Sequence, residues 1–154
     1  MKPITIIVVF LLVLSSCTFN TAPLSGRYVE QTAWTNSTRP YDELFDRAID
    51  ILTDEGHIPE YIDKGTGVIR FKAVLPFYQI ATERKGQPDK PERFAVAVPN
   101  LLISVLNSNI IILVRPSAVG VRLIIDKRAE ARSISGQIAS LGVYEADLAK
   151  KIAQ

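Results

Sequence analysis

Residues 40–74, PYDELFDRAIDILTDEGHIPEYIDKGTGVIRFKAV, decide the fold, because the period of their apolar residues changes midway. In the first half Tyr41, Leu44, Phe45, Ala48, Ile51 and Leu52 fall on one stripe when successive residues are set 100° apart. Asn36-Ser37-Thr38 supplies capping candidates, Pro40 suits a first helical turn, and Gly56 suits the stop. Asp42 and Glu43 fall in the first turn, where the helix dipole favours carboxylates. The pattern predicts a helix between Pro40 and Gly56. In the second half the period drops to two. Ile58, Glu60 and Ile62 alternate with Pro59, Tyr61 and Asp63, and Lys64-Gly65-Thr66-Gly67 turns the chain. Val68 to Val74 then returns, with Ile69, Phe71 and Ala73 on one face. Pro59 lacks an amide donor and belongs near a strand start or on an edge.

Strand character continues beyond this hairpin. Residues 83–93 form a charged, proline-bearing loop flanked by apolar runs at 77–81 and 94–98, which reads as a long hairpin. Three further runs, 101–106, 110–114 and 119–125, are separated by Asn107-Ser108-Asn109 and Arg115-Pro116-Ser117 and read as an antiparallel meander. Helical spacing reappears in Ile134, Ile138 and Leu141, and Gly142 breaks it. A last helix is expected over Tyr144 to Ala153, with Leu148 and Ile152 inward and Lys150-Lys151 near its end. Before the first helix, Arg27 to Trp34 alternates loosely and reads as a first strand, with Tyr28, Glu30, Thr32 and Trp34 on one face. The expected class is α+β: a mostly antiparallel sheet with one helix in the N-terminal half and C-terminal helices packed on it. A helix followed by the hairpin of Gly67-Val68-Ile69 is similar to the helix-grip domains of envelope-assembly lipoproteins. That likeness is architectural and implies no function.

The amino terminus carries a different signal. Lys2 precedes about eleven mostly apolar residues, and these lead to Leu14-Ser15-Ser16-Cys17. The apolar run is shorter than the roughly 20 residues a spanning helix needs. Charged start, short apolar core and small residues before a cleavage point resemble a secretory signal. The last four residues resemble the lipobox of bacterial lipoproteins. The resemblance implies cleavage after residue 16, acyl chains on Cys17, and a polar, turn-prone tether over residues 17–26 leading to a single domain over 27–154. Thr18 follows the cysteine where enteric lipoproteins held at the inner membrane carry Asp, so the same resemblance implies the outer membrane, facing the periplasm. Two or more acyl chains, at about 0.8 kcal/mol for each buried CH₂, anchor a protein stably.

Without residues 1–16 the chain has 138 residues (154 minus 16) and, Lys2 being lost, 17 basic against 16 acidic side chains. That length suits one domain with a real core. A near-even charge balance argues against nucleic acid as a partner. Cys17 is the sole cysteine, so disulfides, thiolate metal sites and cysteine nucleophiles are excluded once it is acylated.

Candidate sites are few. Asp42, Asp46, Asp50 and Asp54 recur every four residues on the face of the helix opposite its apolar stripe. Like charges at this spacing cost about 0.2–0.5 kcal/mol per pair, so the stripe is either a solvated face or a docking surface for a basic partner. Arg84, Lys85, Lys90 and Arg93 make the long loop basic, suited to a lipid head group or a partner, although Glu83, Asp89 and Glu92 interrupt it. His57, the sole histidine, has no nucleophile motif such as Gly-x-Ser-x-Gly to serve. Lys64-Gly65-Thr66-Gly67 has the wrong order for a P-loop, and Asn36-Ser37-Thr38 fits a glycosylation triplet only formally. No catalytic residue, metal site or cofactor is expected. The strands at 94–98, 101–106, 110–114 and 119–125 are almost continuously apolar, which predicts a sheet covered on both faces. The expected function is a lipid-anchored, non-enzymatic envelope protein that docks another envelope protein. The alternative is a carrier of an apolar ligand such as a lipid.

Overall fold

The computed structural model describes residues 23–28, 30–99, 105–126 and 137–154. The expected lipobox at residues 14–17, Ile134, and the run 101–104 lie outside them. Among the described residues the chain is α+β, with two helices and mostly antiparallel strands in two sheets. The elements in order are β1 (Ala33–Asn36), α1 (Tyr41–Asp54), β2 (Ile58–Asp63), β3 (Val68–Pro76), a 3-10 turn (Phe77–Gln79), β4 (Ile80–Arg84) and β5 (Gln87–Pro88). They continue with β6 (Ala95–Ala97), β7 (Val105–Arg115), β8 (Ala118–Ile125), β9 (Ile138–Ser140) and α2 (Val143–Ala153). One sheet has the order β1-β8-β7-β3-β2 and is antiparallel throughout. The other has the order β5-β4-β6-β9.

Helix α1 forms where its apolar period predicts, and Leu44, Phe45, Ala48 and Leu52 are its buried residues. In α2 the buried apolar set is Leu148, Ala149 and Ile152. Both sets belong to one cluster with Ile69 and Phe71 of β3, Ile110 and Ile112 of β7, and Val121 and Leu123 of β8. Each fully buried aliphatic or aromatic side chain contributes about 1.5–3 kcal/mol, so this cluster dominates stability.

Several expectations are corrected. Among the described residues of the expected first strand, 27–34, only Ala33 and Trp34 are paired; the strand runs on to Asn36, against β8 at the sheet edge. Ser37 does not cap α1: its hydroxyl donates to the Ala153 carbonyl at the end of α2 (2.7 Å), and Pro40 itself takes the N-cap position. Asn107-Ser108-Asn109 is no turn but part of the eleven-residue strand β7. Its neighbours on both sides pair with β3, Asn107 and Asn109 point away from the core, and buried Ser108 donates to the Ala73 carbonyl (3.3 Å). Turn propensity therefore yields to the register of the flanking strand. Ile138 lies in strand β9, fully paired with β6, rather than on a helix, and Leu141 follows it in the connection to α2.

The apolar runs flanking the charged loop do not form one long hairpin. β4 and β6 are parallel, Ile80 to Thr82 against Ala95 to Ala97. Lys85-Gly86 reverses the chain at once into the short β5, because both residues have positive φ, as a tight two-residue hairpin turn requires. Nor is the large sheet covered on both faces among the described residues. Burial alternates residue by residue from Leu106 to Val114 and from Ile69 to Leu75. The side chains of opposite parity point away from the core cluster and form an outer face.

Candidate functional site

Among the described residues the candidate sites are three surfaces, a cavity and the surroundings of His57. The Asp stripe is split. Lys64, on the β2–β3 turn, places its ammonium 2.9 Å from Asp42 Oδ1 and 3.4 Å from Asp46 Oδ1. The Tyr41 hydroxyl donates to the Lys64 carbonyl, tying turn to helix. The hydrogen bond to Asp42 holds the Lys64 pKa above its ordinary value; desolvation opposes it, and the hydrogen bond to Asp46 adds to the rise. Asp50 and Asp54 are exposed and have no ion-pair partner among the described residues.

The basic loop is also split. Arg84 and Lys85 are exposed at the β4–β5 tip, Lys90 is exposed farther along, and Arg93 is half-buried. Lys85 sits at φ 52°, a left-handed conformation that costs a residue bearing Cβ roughly 1–2 kcal/mol. Beside the tip, Glu83 is only 6% exposed. Its Oε1 accepts from the Gly26 amide (2.6 Å), and its Oε2 accepts from the Ser25 amide (3.0 Å) and hydroxyl (3.2 Å). Burial alone would raise the Glu83 pKa, but these amides outweigh it and hold the carboxyl below its ordinary value. A Cβ on Gly26 would stand 2.5 Å from the Gly86 carbonyl oxygen, so this close approach needs glycine. The last residues of the expected tether are thus bound to the domain rather than free of it.

The outer face of the five-stranded sheet was not singled out from sequence. Reading across the registers, Trp34, Gly120, Leu113, Val68 and Asp63 form one row, and Arg122, Ile111, Arg70 and Tyr61 form the next. Ile124, Asn109, Lys72 and Ile58 make a third. Trp34 is 43% exposed, Tyr61 46% and Ile58 66%. The Arg115 guanidinium lies over the Trp34 ring at 4.4 Å, and Arg70 lies over Tyr61 at 5.9 Å. A bulge at Glu60, between Pro59 and Tyr61, brings Ile58 and Tyr61 onto this face together and moves Ile62 off it. Strict alternation had grouped Ile58 with Ile62, and one inserted residue reverses every later side chain.

The cavity, of about 200 Å³, is lined by Gln31, Thr32, Ala33, Ser140, Leu141, Gly142 and Glu145. Glu145, 1% exposed in the first turn of α2, accepts from the Ser140 hydroxyl through Oε1 (2.6 Å), while its Oε2 has no hydrogen-bond partner among the described residues. Ser140 in turn accepts from the Gly142 amide (3.1 Å), so the pair closes the start of α2 much as a capping box does.

His57 Nε2 stands 3.5 Å from the Tyr144 hydroxyl and 3.8 Å from Glu55 Oε2. Burial lowers the His57 pKa, partly offset by Glu55. Burial also raises the Tyr144 pKa well above the usual phenol range, with Glu55 and Glu145 adding to the rise. The hydrogen-bond partner of the His57 ring among the described residues is the Tyr144 hydroxyl. Because the folded state disfavours the imidazolium, stability is full above the unfolded pKa near 6.5 and declines as pH falls through the lowered folded value. Thermal unfolding from pH 7.5 to 5 is expected to show a fall in midpoint that His57→Asn reduces. Parallel curves for the two proteins would count against it.

Among the described residues no helix is long and apolar enough to cross a membrane, and no group of three or more His, Cys, Asp or Glu side chains is placed to hold a metal. No protein-family model matches the sequence, and no curated protein matches it.

Proposed function

We propose that this protein is a lipid-anchored component of the bacterial cell envelope with no enzymatic activity, held on the periplasmic face of the outer membrane through Cys17. Its α+β domain, with both helices closing one face of the five-stranded sheet, docks an acidic partner protein on the other face. The observation that carries this reading is the outer face itself. Trp34, Tyr61 and Ile58 stand exposed among Arg70, Lys72, Arg115 and Arg122. Trp, Tyr and Arg are the residues that dominate binding energy at protein interfaces. Glu60 lies 3.8 Å from Arg70 and Glu30 3.6 Å from Arg122, both across partly exposed pairs that a partner carboxylate can replace. The alternative, carriage of an apolar ligand, drew on strands apolar on both faces. The alternating burial of β3 and β7 favours docking instead.

The test is crosslinking of the full lipidated chain in cells, followed by mild-detergent purification and mass spectrometry of protein and lipid. A specific partner with an acidic contact surface is the expected result. A stoichiometric lipid without any protein partner would replace docking by carriage. The Asp stripe makes a separate prediction. Asp50→Lys combined with Asp54→Lys removes one like-charge pair, worth about 0.2–0.5 kcal/mol. Crosslinking yield is expected to stay within about two-fold and stability to hold or rise slightly. Loss of the crosslink in this folded variant would move the docking surface to α1.

A further inference from the structure

We infer that the β4–β5 tip is the surface of this domain that meets the membrane, and that its partner there is anionic phospholipid. The inference rests on acylation of Cys17, and it adds to that reading an orientation. Ser25 and Gly26 are fastened to Glu83 by three hydrogen bonds, and the Tyr28 hydroxyl reaches the Gly86 carbonyl at the tip (3.4 Å). The chain therefore joins the folded domain beside Lys85-Gly86, not at some remote point. From Cys17 to Ser25 there are eight residue steps (25 minus 17), which reach about 29 Å at most when fully extended. A compact domain of 128 residues (154 minus 26) measures about 35 Å across. So the anchor cannot reach around the domain, and the side carrying the Glu83 latch stays toward the lipid.

That side is basic. Arg27, Arg84 and Lys85 are exposed there, while the Glu83 carboxylate among them is turned inward and occupied by amides. Lys85 holds its cation at the tip of a hairpin turn, in the left-handed position where glycine or asparagine is the usual choice. Cations held near a bilayer surface attract anionic lipid, and the attraction falls off within a Debye length of about 8–10 Å. The latch, on a tether of at most about 29 Å, lets the tip enter that range, where anionic lipid would hold it. Lys90 and Arg93 lie beyond the turn and are not part of the contact.

The full chain, acylated in a bacterial host and confirmed by intact mass, contains no free thiol once Cys17 is modified. Gln87→Cys therefore gives a single labelling point at the tip, and Lys90→Cys, exposed just beyond the turn and outside the contact, gives a second should the first disturb the turn. The labelled protein is reconstituted in phosphatidylcholine vesicles with or without about one-third phosphatidylglycerol, each carrying a head-group nitroxide quencher. Quenching at least two-fold stronger in the anionic vesicles is expected, with loss of that difference on adding Arg84→Glu and Lys85→Glu. Equal, weak quenching in both vesicles from protein of confirmed acyl mass overturns the orientation and leaves the anchor standing. A free thiol at Cys17 overturns the anchor, and the orientation with it.

Discussion

Gly67→Ala is expected to lower the stability of the domain by about 3 kcal/mol, and its thermal midpoint by roughly 10 °C. Two independent costs add. Gly67 has φ +71°, and an L-residue forced into the left-handed region loses about 1–2 kcal/mol. A Cβ there would also stand 2.2 Å from the Val114 carbonyl oxygen, in the backbone of β7, which cannot swing aside like a side chain. The displaced atoms matter because Val114 donates its amide to the Gly67 carbonyl (2.7 Å), and the β3–β7 ladder begins one residue later with Val68 against Leu113. The same Cβ would press on the Tyr41 hydroxyl at 3.2 Å, the group that ties α1 to this turn. Gly65→Ala is the control. Its φ is not positive and its nearest contact is Asp63 Oδ1 at 3.3 Å, so a change of a few tenths of a kcal/mol is expected. Unfolding of the two variants followed by circular dichroism decides the matter. Equal midpoints would show that β7 yields freely and that the turn does not fasten it.

The same turn shows how far the sequence could be read. Lys64-Gly65-Thr66-Gly67 was legible as a turn, and Asp42 to Asp54 as a stripe, because each is a local pattern. Their contact was not legible, since Lys64 meets Asp42 and Asp46 only after β2 and α1 have packed. Periodicity located α1, β3 and α2, whose apolar residues recur over seven or more positions. It failed where a short segment takes its conformation from its neighbours. Ile138 pairs in β9 because β6 offers a free edge, and Asn107–Asn109 stays extended because β3 lies alongside. The outer face was hidden for another reason. One bulged residue, Glu60, sets which of Ile58, Tyr61 and Ile62 share a side. No propensity marks that position in a single sequence. Glu83 shows a further limit: as one acid in a charged loop it read as a surface residue, yet it is buried and holds Ser25 and Gly26.

Trp34→Ala is expected to weaken partner binding by about 30-fold, some 2 kcal/mol, while leaving the fold intact. Trp34 lies on the edge strand β1, its ring laid over Gly120 of β8, where a Cβ would come within 2.9 Å of it. The missing side chain at Gly120 thus gives the indole a flat seat, and Arg115 covers it from the side at 4.4 Å. A large aromatic held in one orientation before binding loses little conformational entropy when a partner covers it. Arg115 adds a cation that is already in place for a carboxylate. Arg115→Ala alone is expected to cost less than Trp34→Ala. The two together should fall short of the sum, because the cation–ring contact, about 0.5–1 kcal/mol at an exposed site, is removed by either change. Trp34 is the sole tryptophan of the chain, so its fluorescence reports the event directly: a shift to shorter wavelength on titration with the purified partner marks burial of the ring. A titration in which Trp34→Ala binds as tightly as the parent, with no shift in the parent's emission, would remove the outer face from the interface.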